Sequence, residues 1–122
     1  MVSFKSLLPI GRQKEQQAKN WLEKQGFTII AENYHCKGGE IDLIGAKHQQ
    51  IVFFEVKYRK SNHYGHPAEM VNTQKQQHII HCAQHFLQKH AEYQNHQLQF
   101  DVLTFCGGQT QPDWIQNAFE AF

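Results

Sequence analysis

Two apolar runs separated by a short polar step, GGEIDLIGAKHQQIVFFEVKYRK over residues 38–60, constrain this chain more than any other feature. Their β-branched and aromatic content reads as two strands, about Glu40–Ala46 and Ile51–Arg59, joined by a hairpin turn near His48 and Gln49. Charges inside such runs cost free energy unless they find partners or a task. A symmetric turn sets Asp42 directly opposite Glu55 and Glu40 opposite Lys57, with all four side chains on one face. Opposed residues have Cβ atoms ~4.5–5.5 Å apart, where like charges repel. A carboxylate pair there calls for a raised pKa, a shared proton or a divalent cation. The register carries this expectation, since a slip of one residue sends the two carboxylates to opposite faces.

The flanking segments fill out an α/β domain. From Gly11 to Gln25 the spacing of Ala18, Trp21, Leu22 and Gln25 predicts a helix, stopped by Gly26 at the C′ position. Residues 27–31 read as a short strand and residues 32–39 as a polar loop. After the hairpin, residues 61–67 form a loop, and a second helix runs from about Ala68 to Lys89. Residues 98–105 read as a strand, Gly107-Gly108 as a turn, and residues 114–119 as a short terminal element. The resulting order is α-β-β-β-α-β: one domain over residues 1–122, with helices flanking a mixed central sheet. Trp21, Phe53, Phe54, Phe86 and Trp114 are the expected core aromatics.

At 122 residues the chain can bury one core, and 40% hydrophobic with 12% aromatic residues excludes a disordered chain. A formal charge of +1 means that any nucleic-acid affinity has to come from a local basic patch. Cys36, Cys82 and Cys106 have no metal-like spacing and are expected to be free thiols in a reducing compartment. The N-terminal apolar stretch is too short for a secretory signal, and no run approaches a membrane span of ~18 apolar residues. These readings place the protein in the cytoplasm, with no membrane partner.

Hard cations such as Mg²⁺ take oxygen ligands, commonly one or two carboxylates with waters and phosphate oxygens. Asp42 and Glu55 suit that need, and the carbonyl near Val56 offers a third oxygen. Lys57 follows Glu55 by two and points the same way, where it could orient a water or stabilise charge developing on a phosphate. Glu15 precedes Ala18 by three and Leu22 by seven, which extends the buried stripe of the first helix toward the sheet. Its alternative role is stabilising the helix dipole.

Asp42 followed by Glu55-Val56-Lys57 resembles the D…(D/E)xK signature of the PD-(D/E)XK nuclease superfamily. The inferred element order is that of the restriction-endonuclease-like core. More closely, the stretches around Glu15, NYHCKGGEIDLI, VFFEVKYRKS, YGHPAEMV, KQQHIIHCAQHFL and FDVL resemble the YraN-like family of small bacterial proteins, related by motif to archaeal Holliday-junction resolvases. The resemblance implies Asp42 and Glu55 as ligands of Mg²⁺ or Mn²⁺, Lys57 as the catalytic lysine and Glu15 as the helix-borne acid. It also implies Glu40 as a support for Lys57, Lys75 as a basic residue beside the site, and isoleucine where the motif's proline often stands. The implied activity is endonucleolytic hydrolysis of DNA, branched DNA included, with a homodimer among the possible assemblies.

Other signals have two readings. Arg59, Lys60 and Tyr64 lie on a basic, aromatic segment after the second hairpin strand, suited to phosphates and base stacking or to plain solvation. His78, His81 and His85 share a face of the second helix, opposite its core side, and read as a solvated surface in preference to a transition-metal site. Asp101, between apolar residues, is expected to partner a buried amide or cation. The competing functional class is a binding module, a nuclease-like fold that holds nucleic acid or protein without cutting.

Overall fold

The computed structural model describes residues 8–60 and 71–121. In chain order these form helix α1 (Ile10–Lys24), strands β1 (Thr28–Cys36), β2 (Gly39–Lys47) and β3 (Gln50–Arg59), helix α2 (Thr73–Lys89), a 3₁₀ turn (Ala91–Tyr93), and strands β4 (Gln97–Cys106) and β5 (Asp113–Phe119). The α-β-β-β-α-β core is present, and the terminal element is a fifth strand. The sheet runs β1-β2-β3-β4-β5, antiparallel throughout except for the central β3–β4 pair. A parallel pair requires a crossover, which α2 supplies.

Alternation along β3 sends neighbouring phenylalanines to opposite faces. Phe53 packs with Ile79, Cys82, Ala83 and Phe86 of α2, whereas Phe54 packs with Ala18 and Leu22 of α1. Two apolar layers therefore sandwich the sheet. Trp21 and Trp114 are half-buried at the margin, edge to face with centroids 5.6 Å apart. Helix α1 ends in a Schellman motif: Gly26 N–H donates to Glu23 O and Phe27 N–H to Leu22 O, each at 3.1 Å, with Gly26 at φ 98°. Helix α2 starts at Thr73, capped by Asn72, whose side chain accepts from Lys75 N–H at 2.8 Å.

Three expectations are corrected. Residues 32–36, read as loop, belong to β1, an edge strand on which Glu32 and His35 are exposed. That extension brings Cys36 to α2, where it is disulfide-bonded to Cys82, so the expectation of three free thiols fails and only Cys106 lies outside a disulfide. His85 is not on a solvated face: its Nδ1 lies 2.8 Å from the Tyr34 hydroxyl, although His78 and His81 are exposed.

Gly45 marks a close approach at the heart of β2. A Cβ there would sit 3.1 Å from Phe27 Cδ1 and 3.3 Å from Phe54 Cε2, both rings held in a packed layer. Gly45→Ala is expected to destabilise the protein by about 1–3 kcal/mol through overpacking. An unchanged urea midpoint would show that the rings yield freely.

Candidate active site

The β2–β3 register is the one expected from the hairpin. Pairs run from Lys47–Gln50 at the turn to Leu43–Phe54, with His48 at φ 57°. Asp42 and Glu55 come one step beyond the last regular pair. Alternation of hydrogen-bonded pairs would next turn Val56 N–H toward Ile41. Instead Val56 N–H donates to Asp42 Oδ2 at 2.8 Å. The packing changes here too: Ile41 joins the α2 layer and Leu43 the α1 layer, although regular alternation would give both one face. The Asp42 carboxylate thus stands in for a backbone acceptor where the two strands part.

Both carboxylates are withdrawn from water, Asp42 at 7% and Glu55 at 5% exposure. Burial first, then the charge of Glu55, push the Asp42 pKa up to about 7 against the opposing Val56 hydrogen bond; Glu15 and Glu40 add smaller contributions in the same direction. Glu55 is compensated differently. Its Oε1 lies 3.5 Å from Lys57 Nζ and 3.3 Å from Lys75 Nζ. Lys57 reaches it along the same strand face, and Lys75 reaches it from the first turn of α2.

Glu15 lies on α1 beside the buried stripe instead of within it, because that stripe is Lys14, Ala18 and Leu22. Its carboxylate pairs with Arg12 at 3.4 Å. Burial raises its pKa most; Arg12 and a hydrogen bond from the Asn33 side chain oppose this, and Glu40 and Glu55 add to it. Glu40 lies across β1–β2 from His35, its Oε2 3.4 Å from His35 Nδ1, where the expectation had been Lys57. Arg59 ends β3 and Lys60 follows it, exposed. Tyr64 lies outside the described residues. A cavity of about 460 Å³ opens beside Lys75, lined also by His35, Gly39, Glu40 and His78.

Three residues with charged or polar roles escaped sequence reasoning. Arg12 sits three positions from Glu15, a helical spacing that could have flagged it. Asn33 holds a positive φ of 49°, an asparagine preference visible only once residue 33 is known to bend an edge strand. Lys14 is buried, with Nζ 3.0 Å from Gln109 O and 5.0 Å from the centre of the Phe105 ring. Its position four before Ala18 was the available signal.

The arrangement places two buried carboxylates together, one of them against two ammonium groups, and Lys75 links this cluster to the neighbouring cavity. Among the described residues no group of three or more His, Cys, Asp or Glu side chains is disposed to hold a metal ion, so a cation here would complete its shell with backbone, water or substrate oxygens. No helix of the described residues is long and apolar enough to cross a membrane.

Fold and side chains together define a mixed α/β protein with a carboxylate–lysine cluster at the fork of its central hairpin. The chain belongs to the uncharacterised protein family UPF0102, which it matches over residues 14–105, a span containing Glu15, Glu40, Asp42, Glu55, Lys57 and Lys75. A UPF0102 protein of Saccharophagus degradans is 47% identical over 109 residues, covering 89% of this chain and 91% of its own. One of Alcanivorax borkumensis is 43% identical over 89% of this chain and 90% of its own. A third, from Pseudomonas fluorescens, is 38% identical over 96% and 98% respectively.

Proposed function

We propose that this protein is a divalent-cation-dependent endonuclease of the cytoplasm that hydrolyses DNA phosphodiesters, branched DNA among them, with Mg²⁺ or Mn²⁺ as its cation. The observation that carries the reading is a pair of buried carboxylates, Asp42 and Glu55, with Lys57 and Lys75 both within 3.5 Å of one Glu55 oxygen. The D…ExK spacing and the α-β-β-β-α-β order, which resemble those of PD-(D/E)XK nucleases, add support.

The donor set fits such a cation. It consists of carboxylate oxygens, the preferred ligands of hard ions, and burial followed by the charge of Glu55 disfavours ionised Asp42, a penalty that a bound cation would offset. The chemistry a cation supplies at such a site is charge stabilisation at a phosphoryl oxygen and acidification of water. The protein's own groups do the rest. Lys57, held against Glu55, is the donor proposed to orient the attacking water or to meet charge developing on the phosphate. Lys75 is proposed to hold a neighbouring phosphate, and Arg59 and Lys60, at the end of β3, to extend that contact, with Tyr64 as a further nucleic-acid contact. Glu15 contributes a further acid at the margin, and Glu40, paired with His35, braces the β1–β2 end.

A second reading, the non-cleaving binding module, draws on the same Glu55 contacts, since two ammonium groups already balance that carboxylate. The test is cleavage of single-stranded, duplex, flap and four-way-junction DNA with Mg²⁺ or Mn²⁺, comparing wild type with Asp42→Ala and Lys57→Ala. Loss of cutting by about 10²-fold or more in each variant is expected. Absence of cutting on every substrate, with all three proteins binding DNA equally, would give the binding module the better claim.

A further inference from the structure

Cys36 is the last residue of β1 and Cys82 lies midway along α2; the disulfide between them spans 46 residues of sequence, with Cα atoms 5.5 Å apart. Cys82 is wholly buried in the α2 layer, whereas Cys36 is partly exposed and lines the cavity beside Lys75. One sulfur is therefore open to attack and the other is not. The contact is close: a Cβ on Gly39 would come within 3.2 Å of His78 Cβ and 3.7 Å of Cys82 Sγ. The bond thus ties the β1–β2 turn to the middle of α2. Lys75 precedes Cys82 by seven residues, two helical turns along the same side, and its ammonium sits 3.3 Å from Glu55.

We propose that Cys36–Cys82 is a site of reversible thiol–disulfide exchange, through which a dithiol reductant sets how firmly α2 holds Lys75 over Glu55. One thiolate of the reductant attacks Cys36 Sγ; the Cys36–Cys82 bond breaks, and Cys82 departs as a thiolate that takes up a proton. The reductant's second thiolate then attacks the mixed disulfide, releases the Cys36 thiolate to be protonated, and leaves as the reagent's own disulfide. The protein gains two electrons and two protons, and the dithiol loses them. Ile79, Ala83 and Phe86 keep α2 seated in its layer after reduction, so the latch opens without unfolding the chain. Exchange at this bond is independent of the hydrolysis proposed above.

The test treats oxidised protein with dithiothreitol without denaturant, follows thiols by alkylation and mass, and maps amide exchange in oxidised, reduced and Cys36→Ser proteins. Cys36 and Cys82 are expected to become alkylatable together while β3 and β4 amides stay protected, and to re-form the bond with oxidised dithiothreitol. Amide exchange over residues 73–79 is expected to rise about tenfold in the reduced protein and equally in Cys36→Ser, which leaves the buried cysteine in place. Release of the thiols only as the whole sheet exchanges would overturn the proposal, because the disulfide is then a fixed staple. Reduction that leaves exchange over residues 73–79 unchanged would overturn it as well.

Discussion

Asp42→Asn is expected to make the protein more stable at pH 8 in the absence of divalent cations, while abolishing the DNA cleavage proposed above. The Asp42 carboxyl titrates at about 7 in the folded chain against an ordinary 3.8, so the folded state binds the proton more tightly than the unfolded state. The sign follows from linkage. Stability contributed by neutral Asp42 is complete below about pH 4, declines as pH rises, and is gone above about pH 7. The displacement corresponds to roughly 4 kcal/mol at 1.36 kcal/mol per pH unit, and adjustment of the site around an amide reduces it to about 2–4 kcal/mol. Asparagine never ionises, and its carbonyl can still accept from Val56 N–H, now 2.8 Å from Asp42 Oδ2. The melting temperatures of variant and wild type are therefore expected to coincide near pH 4 and to separate by roughly 10 °C at pH 8. Millimolar Mg²⁺ or Mn²⁺ should then raise the wild type alone and narrow the gap. An Asp42→Asn protein no more stable than wild type at pH 8 would remove the physical basis for a cation between these carboxylates.

The largest loss of stability is expected from Asp101→Ala. Asp101 is 1% exposed on β4, at the irregularity between Phe100 and Val102 where β4 and β5 shift register. Its Oδ2 accepts from Trp114 Nε1 at 2.8 Å, its Oδ1 from Asn117 N–H at 3.0 Å, and both oxygens from Gln99 Nε2. The side chain thus gives Asn117 N–H the acceptor that a regular ladder would have offered, and pairs the Trp114 indole as well. Alanine strands at least two donors, each costing about 1–3 kcal/mol, so a loss of roughly 3–4 kcal/mol is expected, or about 2 M in urea midpoint. The Asp101→Asn variant keeps one acceptor oxygen and should fall between. Accelerated amide exchange confined to β5 would locate the damage, and a loss below about 1 kcal/mol would mean that water replaces the carboxylate.

What could be read from the residues alone was local. The Asp42–Glu55 proximity was legible because the short turn at His48-Gln49 fixes the pairing that follows it, and the observed pairs keep that register as far as Leu43–Phe54, one step short of the two carboxylates. Alternation and β-branched content likewise exposed β2, β3 and β4. The second half of β1 was not legible, because Glu32, Asn33 and His35 give an edge strand the composition of a loop. That one misreading hid two contacts, the His35–Glu40 pair and the Cys36–Cys82 bond, since both depend on β1 running past residue 31. Lys75 was placed near the site by resemblance, but its contact with Glu55 is a product of the crossover and leaves no trace in spacing. Lys14 was missed for the opposite reason: a lysine in a buried stripe contradicts the pattern used to find the stripe.

The central parallel pair has a consequence for the order of folding. Asp42, Glu55 and Lys57 all belong to one hairpin, whose strands meet through contacts close in sequence, whereas Lys75 reaches Glu55 only after the α2 crossover has docked. Local pairings form early and crossovers late, because closing the longer loop costs more chain entropy. A chain folding above pH 7 therefore brings two negative groups together before the second lysine arrives to offset them. Acid, or a divalent ion, should speed the hairpin's formation more than it slows the unfolding of the finished sheet.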